Sequence, residues 1–277
     1  MLGKVFAYEL RALWKPAVIL LVVMVVAGLA GTACLGACVT ISDAAGFGSS
    51  YVTQASLASN ATVLLVMAAL FCGFLVWASA VALYVFVVLR FYRTMFTDEG
   101  YLTLTLPART GTLVAAKFWA AYLLLVIFAL VALGLYSLMA FVMSSGDLEV
   151  AALVAALMGG WSTFAFDGGG IRTAIGLVSI LVSCAYAVGL AFLSLTLGAW
   201  WARRHKLAAA VGIYLGIGWV LSFLFSAAGV VAVAADAGLW DVLLGAVSFG
   251  QIALNLAVAA GGVVLSAYLI RAKVDLN

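Results

Sequence analysis

The chain reads as an all-α membrane protein with six transmembrane helices and both termini in the cytoplasm. Composition, six long apolar runs and a one-sided distribution of basic residues carry that reading. Of 277 residues, 68% are hydrophobic and only 8% charged, and the mean hydropathy is +1.30. A soluble domain is about 45–50% apolar and about 25% charged, so an ordinary globular core is excluded. Uncharged apolar runs of this length are read as membrane spans.

The runs cover residues 17–39, 61–89, 118–143, 174–201, 207–235 and 247–270. Each can cross a hydrocarbon core of about 30 Å, which takes roughly 20 helical residues. The fourth and fifth separate at Arg203, Arg204 and Lys206. An Arg or Lys held at mid-membrane costs about 2.5–3.5 kcal/mol, so three together force a turn in water.

Twelve of the thirteen basic residues fall on one side of these spans. Lys4, Arg11 and Lys15 precede the first; Arg90, Arg93, Arg109 and Lys117 lie between the second and third. Arg203, Arg204 and Lys206 follow the fourth, and Arg271 and Lys273 the sixth. Basic loops stay cytoplasmic, which places both termini there. Asp43, Asp147, Glu149, Asp167, Asp236 and Asp241 fall in the opposite loops.

The first sixteen residues form an amphipathic interfacial helix. Lys4, Tyr8, Arg11 and Lys15 share one face, Leu2, Val5, Phe6, Leu13 and Trp14 gather on another, and Pro16 marks the turn into the membrane. Along the first span, Ala27, Gly31, Cys34 and Cys38 form a row of small residues that lets another helix come close. "LGAC" at 35–38 has the form of a lipoprotein cleavage box, but five further spans follow it and it reads as part of the first helix. All four cysteines lie in apolar runs and read as packing residues. A single histidine, His205, argues against multi-histidine metal sites and bis-histidine haem. The outer segment 144–172 is apolar enough to lie on the bilayer. Residues 228–247 suit a re-entrant or interfacial pair of short helices before the last span.

The segment 90–110, "RFYRTMFTDEGYLTLTLPART", is the least expected. Arg90 and Arg93 with Phe91, Tyr92 and Phe96 close the second helix at headgroup level. "TDEG" breaks the run, Leu102, Leu104 and Leu106 alternate with polar neighbours, and Pro107 stops the short element. A plain connector has no need to show leucines to water. An apolar patch of this kind implies a partner, unless the leucines rest on the bilayer surface.

At these residues "EGYLTLTLPARTGTLVAAK" resembles the segment after the second helix in ATP-binding-cassette (ABC) exporter permeases of the six-helix type-2 class. Glu99, Gly100, Leu102, Pro107 and Lys117 fall on that pattern in order. Tyr101 and Thr103 stand where the family usually has Thr and a second acid, and the wording is closest to a bacterial branch in which Tyr is usual. The resemblance implies a coupling element seated in a cleft of a separate ATPase subunit. Glu99 and Gly100 would shape its start, Tyr101, Leu102 and Leu104 would fill the cleft, and Pro107 would fix its end. It further implies a second permease subunit, identical or paralogous, export driven by ATP and Mg bound in the partner ATPase, and a multi-pass place in a bacterial cytoplasmic membrane.

The absences agree with that expectation. The chain has no G-x-x-x-x-G-K-[ST] and so no P-loop of its own. Every charged residue maps to a loop or a membrane boundary, without the intramembrane carboxylates typical of ion-coupled transporters. Ser179, Ser183, Ser194 and Thr196 lie in spans with no His, Asp, Glu or Lys beside them, so the chain does not read as an enzyme. No cofactor in this chain and no nucleic-acid partner is expected; the bilayer itself is. Gln251 and Asn255, four apart on the sixth helix, with Tyr136 and Tyr186, are candidates to line a translocation path or to serve as interhelical hydrogen-bonding groups. The alternative from another class is a membrane anchor or sensor subunit without transport activity.

Overall fold

The computed structural model describes residues 2–46, 52–96, 110–144, 170–201, 206–234 and 240–272. They form six helices: α1 (Leu2–Gly46), α2 (Val52–Phe96), α3 (Thr110–Ser144), α4 (Gly170–Trp201), α5 (Lys206–Ala234) and α6 (Trp240–Ala272). Helices satisfy every backbone polar group within one segment, which is what an apolar solvent demands.

Among the described residues, five helices hold stretches long and apolar enough to cross a bilayer: Val5–Ile41, Asn60–Phe96, Gly111–Val142, Gly176–Trp201 and Gly250–Ile270. In α5 the apolar stretch found among the described residues is shorter, Leu207–Phe223. The outward surface is greasy. Leu64, Trp219 and Val264 are exposed by 71%, 76% and 70%, a price in water that lipid removes.

The structure departs from the sequence reading in two places. Pro16 does not end a separate interfacial helix, since α1 runs through it from Leu2 to Gly46. Proline lacks the N–H that would reach the Ala12 carbonyl, so one hydrogen bond is lost while the helix continues on either side. Leu13 and Ala17, which bracket it, are both buried. The expected pair of short helices before the last span is likewise not separate. Its first part, to Ala234, continues α5, and its second part, from Trp240, opens α6. The outer residues 145–169 lie outside the described residues.

The chain divides into two compact units. One comprises Trp14–Tyr84 and Leu125–Val178. Its core is Leu35, Ala69 and Met139, with Cys34, Leu70, Tyr136 and Val142 packed against it. Gly31 lets α1 approach here: a Cβ on it would lie 3.0 Å from the Cys72 Cβ and run into the Met139 side chain. This is the use the small-residue row anticipates. Cys38, a turn or two further on, is buried.

The other unit comprises Met1–Leu13, Val85–Leu124 and Ser179–Asn277. In it α4 meets α6 almost backbone to backbone: a Cβ on Gly189 would lie 2.7 Å from the Ala259 Cα. Close approach of this kind replaces hydrophobic drive with van der Waals packing, as between helices in lipid. The same unit gathers the start of α1, the end of α2 and the start of α3, where the charges lie.

Candidate functional site

Glu9 occupies an apolar stripe. It falls four residues after Val5 and four before Leu13, one face of a helix. Lys117 does the same on α3, between Leu113 and Ala121, both buried. A lone acid and a lone base on the inward faces of neighbouring helices can enter the interior only together. The structure joins them: the Lys117 ammonium donates to Glu9 Oε1, and the two side chains are 5% and 9% exposed.

Thr94 on α2 completes the arrangement. Lys117 Nζ also donates to its hydroxyl oxygen at 3.0 Å. That hydroxyl donates back to its own helix, to the carbonyls of Arg90 at 2.9 Å and Phe91 at 3.3 Å. Arg90 lies one turn earlier. Its Nε stands 3.5 Å from Glu9 Oε2, and this buried nitrogen has no hydrogen-bond partner among the described residues. Among the described residues, one carboxylate thus faces two cations.

Beneath the ions lies an aromatic tier. Phe91 of α2 stacks on Phe192 of α4 with centroids 3.7 Å apart and planes at 10°. Phe118 of α3 meets Phe192 edge-on at 6.4 Å and lies parallel to Tyr122 at 6.1 Å. Ions therefore tie α1 to α2 and α3, and rings tie α2 and α3 to α4.

The space left among Glu9, Leu13, Arg90, Thr94, Lys117 and Phe192 is about 10 Å³, room for one water-sized group and no more. Glu9 is held by its cation and the Thr94 proton is spent on backbone carbonyls, so neither is poised as base or nucleophile. Among the described residues, a single carboxylate beside two cations is also a poor seat for a metal ion. The arrangement fixes helices relative to one another rather than enclosing a substrate.

It does so at a telling place. Arg90 and Thr94 belong to the last two turns of α2, and Lys117 to the second turn of α3. Between them runs the segment 97–109, expected from the sequence either to bind a partner or to rest its leucines on the bilayer. Its residues Glu99, Gly100, Tyr101, Leu102, Leu104 and Pro107 lie outside the described residues. Lys117, the last residue of the motif, is buried among the helices at 6% exposure.

The four candidates for a translocation path are placed as follows. Tyr136 donates its hydroxyl to the Gly73 carbonyl at 2.9 Å, an interhelical bond within its own unit. Gln251 is exposed on α6, Asn255 one turn on is half-buried, and Tyr186 on α4 is half-buried. Sequence reasoning missed Glu9 altogether, although its position on an apolar stripe was the available signal.

Comparison of the chain with protein-family models, with curated proteins and with solved structures finds no match in any of the three.

Proposed function

We propose that the chain is the membrane-spanning permease subunit of a bacterial ABC exporter, with both termini and the segment 97–109 in the cytoplasm. α5, short in its apolar part, completes six spans. Two such subunits, identical or paralogous, pair around a translocation path, and each seats its 99–107 element in a separate ATPase subunit that binds ATP and Mg. Closure of the ATPase pair pushes on these elements and switches the path from inward to outward facing.

The observation that carries this reading is the sequence "EGYLTLTLP" between the end of α2 and the start of α3. The buried ion cluster supports it. A segment that transmits force needs flanking helices that move as one body, and Glu9, Thr94 and Lys117 bind the two flanks to each other and to α1. An apolar, weakly polar interior suits lipid-like, drug-like or peptide cargo better than a highly charged one.

A photo-reactive amino acid introduced at Leu104, in cells of the native host, tests the partner. The reading expects a cross-linked protein carrying a P-loop ATPase domain. Cross-linking to lipid alone would overturn it and return the leucines to the bilayer surface.

A further inference from the structure

Among the described residues, the cluster at Glu9 carries more positive than negative charge, in surroundings that include Leu13, Val87, Phe91, Ala121 and Phe192. The carboxylate is committed to Lys117, and of the described residues it alone meets Arg90, at the long distance of 3.5 Å. A cation withdrawn from water without a full counter-charge is costly and favours an incoming anion. Arg90 is also the member of the cluster that reaches the outside. Its side chain is 28% exposed, against 5% for Lys117.

Its level along the helix is informative. Arg90 lies about two turns, roughly 9 Å, before the end of α2, where long basic side chains reach lipid headgroups. Tyr8 and Trp119, in the same unit, are exposed by 72% and 53%. These amphipathic rings settle at the same level. Val85 and Leu89 on α2 are exposed as well and offer an apolar track for acyl chains.

We propose that Arg90 forms a binding site for one phosphate group, carried by an anionic phospholipid of the cytoplasmic leaflet. Nε is covered, and the two outer nitrogens of a guanidinium form a fork that matches two phosphate oxygens. The space within the cluster is too small for a phosphate, so the headgroup lies outside it, on the exposed part of Arg90, as basic side chains at the cytoplasmic surface hold anionic lipids. The phosphate supplies the charge that Glu9 does not, and the site ties lipid composition to the helix ends flanking the segment 97–109. The lipid site stands or falls independently of any ATPase partner.

The test uses the full chain, delipidated in neutral detergent and titrated with phosphatidylglycerol, phosphatidylcholine or inorganic phosphate, with thermal unfolding and native mass spectrometry as readouts. Phosphatidylglycerol should raise the melting temperature saturably, by roughly 3–6 °C at about ten times its Kd, with one lipid retained per chain. Phosphatidylcholine should not. Arg90→Gln should abolish both the shift and the adduct, whereas Arg11→Gln, which removes an exposed cation from the opposite face of α1, should preserve both. Should Arg90→Gln fail to fold, Arg90→Lys keeps the charge without the fork and should raise the half-saturating lipid concentration several-fold. An equal response to inorganic phosphate alone would overturn the lipid as the source. Equal shifts in the wild type and Arg90→Gln (or Arg90→Lys), or a shift that never saturates, would overturn the site.

Discussion

Glu9 and Lys117 stand 108 residues apart in the chain and meet as a buried ion pair that binds the start of α1 to the start of α3. Neither charge can be left alone where it is. Breaking a buried pair from one side costs about 3–5 kcal/mol, whereas replacing both partners with apolar groups is often neutral or stabilising. Glu9→Gln and Lys117→Gln are each expected to lose stability in that range. The double variant Glu9→Leu, Lys117→Met should recover most of it. Thermal unfolding of the purified chain reads this directly, and additive losses in the double variant would show that the pair is not coupled.

Phe192 is the keystone of the aromatic tier, stacked on Phe91 and edge-on to Phe118, and 1% exposed. Phe192→Ala removes both ring contacts and leaves a void, a change that typically costs 3–5 kcal/mol, or about that. Phe192→Leu keeps much of the volume and should lose clearly less. Equal melting temperatures for the two variants would contradict the ring contacts as the source of stability.

The α4–α6 contact depends on Gly189 having no side chain. A Cβ there meets backbone, the Ala259 Cα at 2.7 Å and its carbonyl oxygen at 2.9 Å, and backbone does not yield as a flexible side chain does. Gly189→Ala is expected to cost about 1–3 kcal/mol through forced separation of the helices. Gly216→Ala, with nothing within 4 Å of the new methyl, should be neutral or gain up to about 1 kcal/mol in helix propensity. A comparison of their unfolding temperatures checks the sign of each.

The helices were legible because an apolar solvent writes them as long uncharged runs, and the span at 61–89 lies wholly inside α2. Pro16 misled because proline is a weaker stop inside a packed membrane helix than at a water-exposed boundary. The small row at Ala27, Gly31, Cys34 and Cys38 correctly marked a close helix contact, since spacing alone puts such residues on one face. Glu9 was harder. Counting charges by loop assigns it to the cytoplasmic end and stops there. Only its register with Val5 and Leu13 shows it facing inward, and only the fold brings Lys117 to it. Arg90 read as an ordinary helix-end cation, because a partner too distant to satisfy it is a property of three dimensions.

The central claim is that the segment 99–107 docks on a separate ATPase. The most direct measurement is affinity purification of the chain from mildly cross-linked, detergent-solubilised membranes of its native host, as wild type and as Leu104→Asp, with the co-purifying proteins identified by mass spectrometry. A stoichiometric P-loop ATPase should accompany the wild type and be lost with Leu104→Asp while membrane insertion is unchanged. No ATPase with the wild type, or one retained equally by Leu104→Asp, would contradict it.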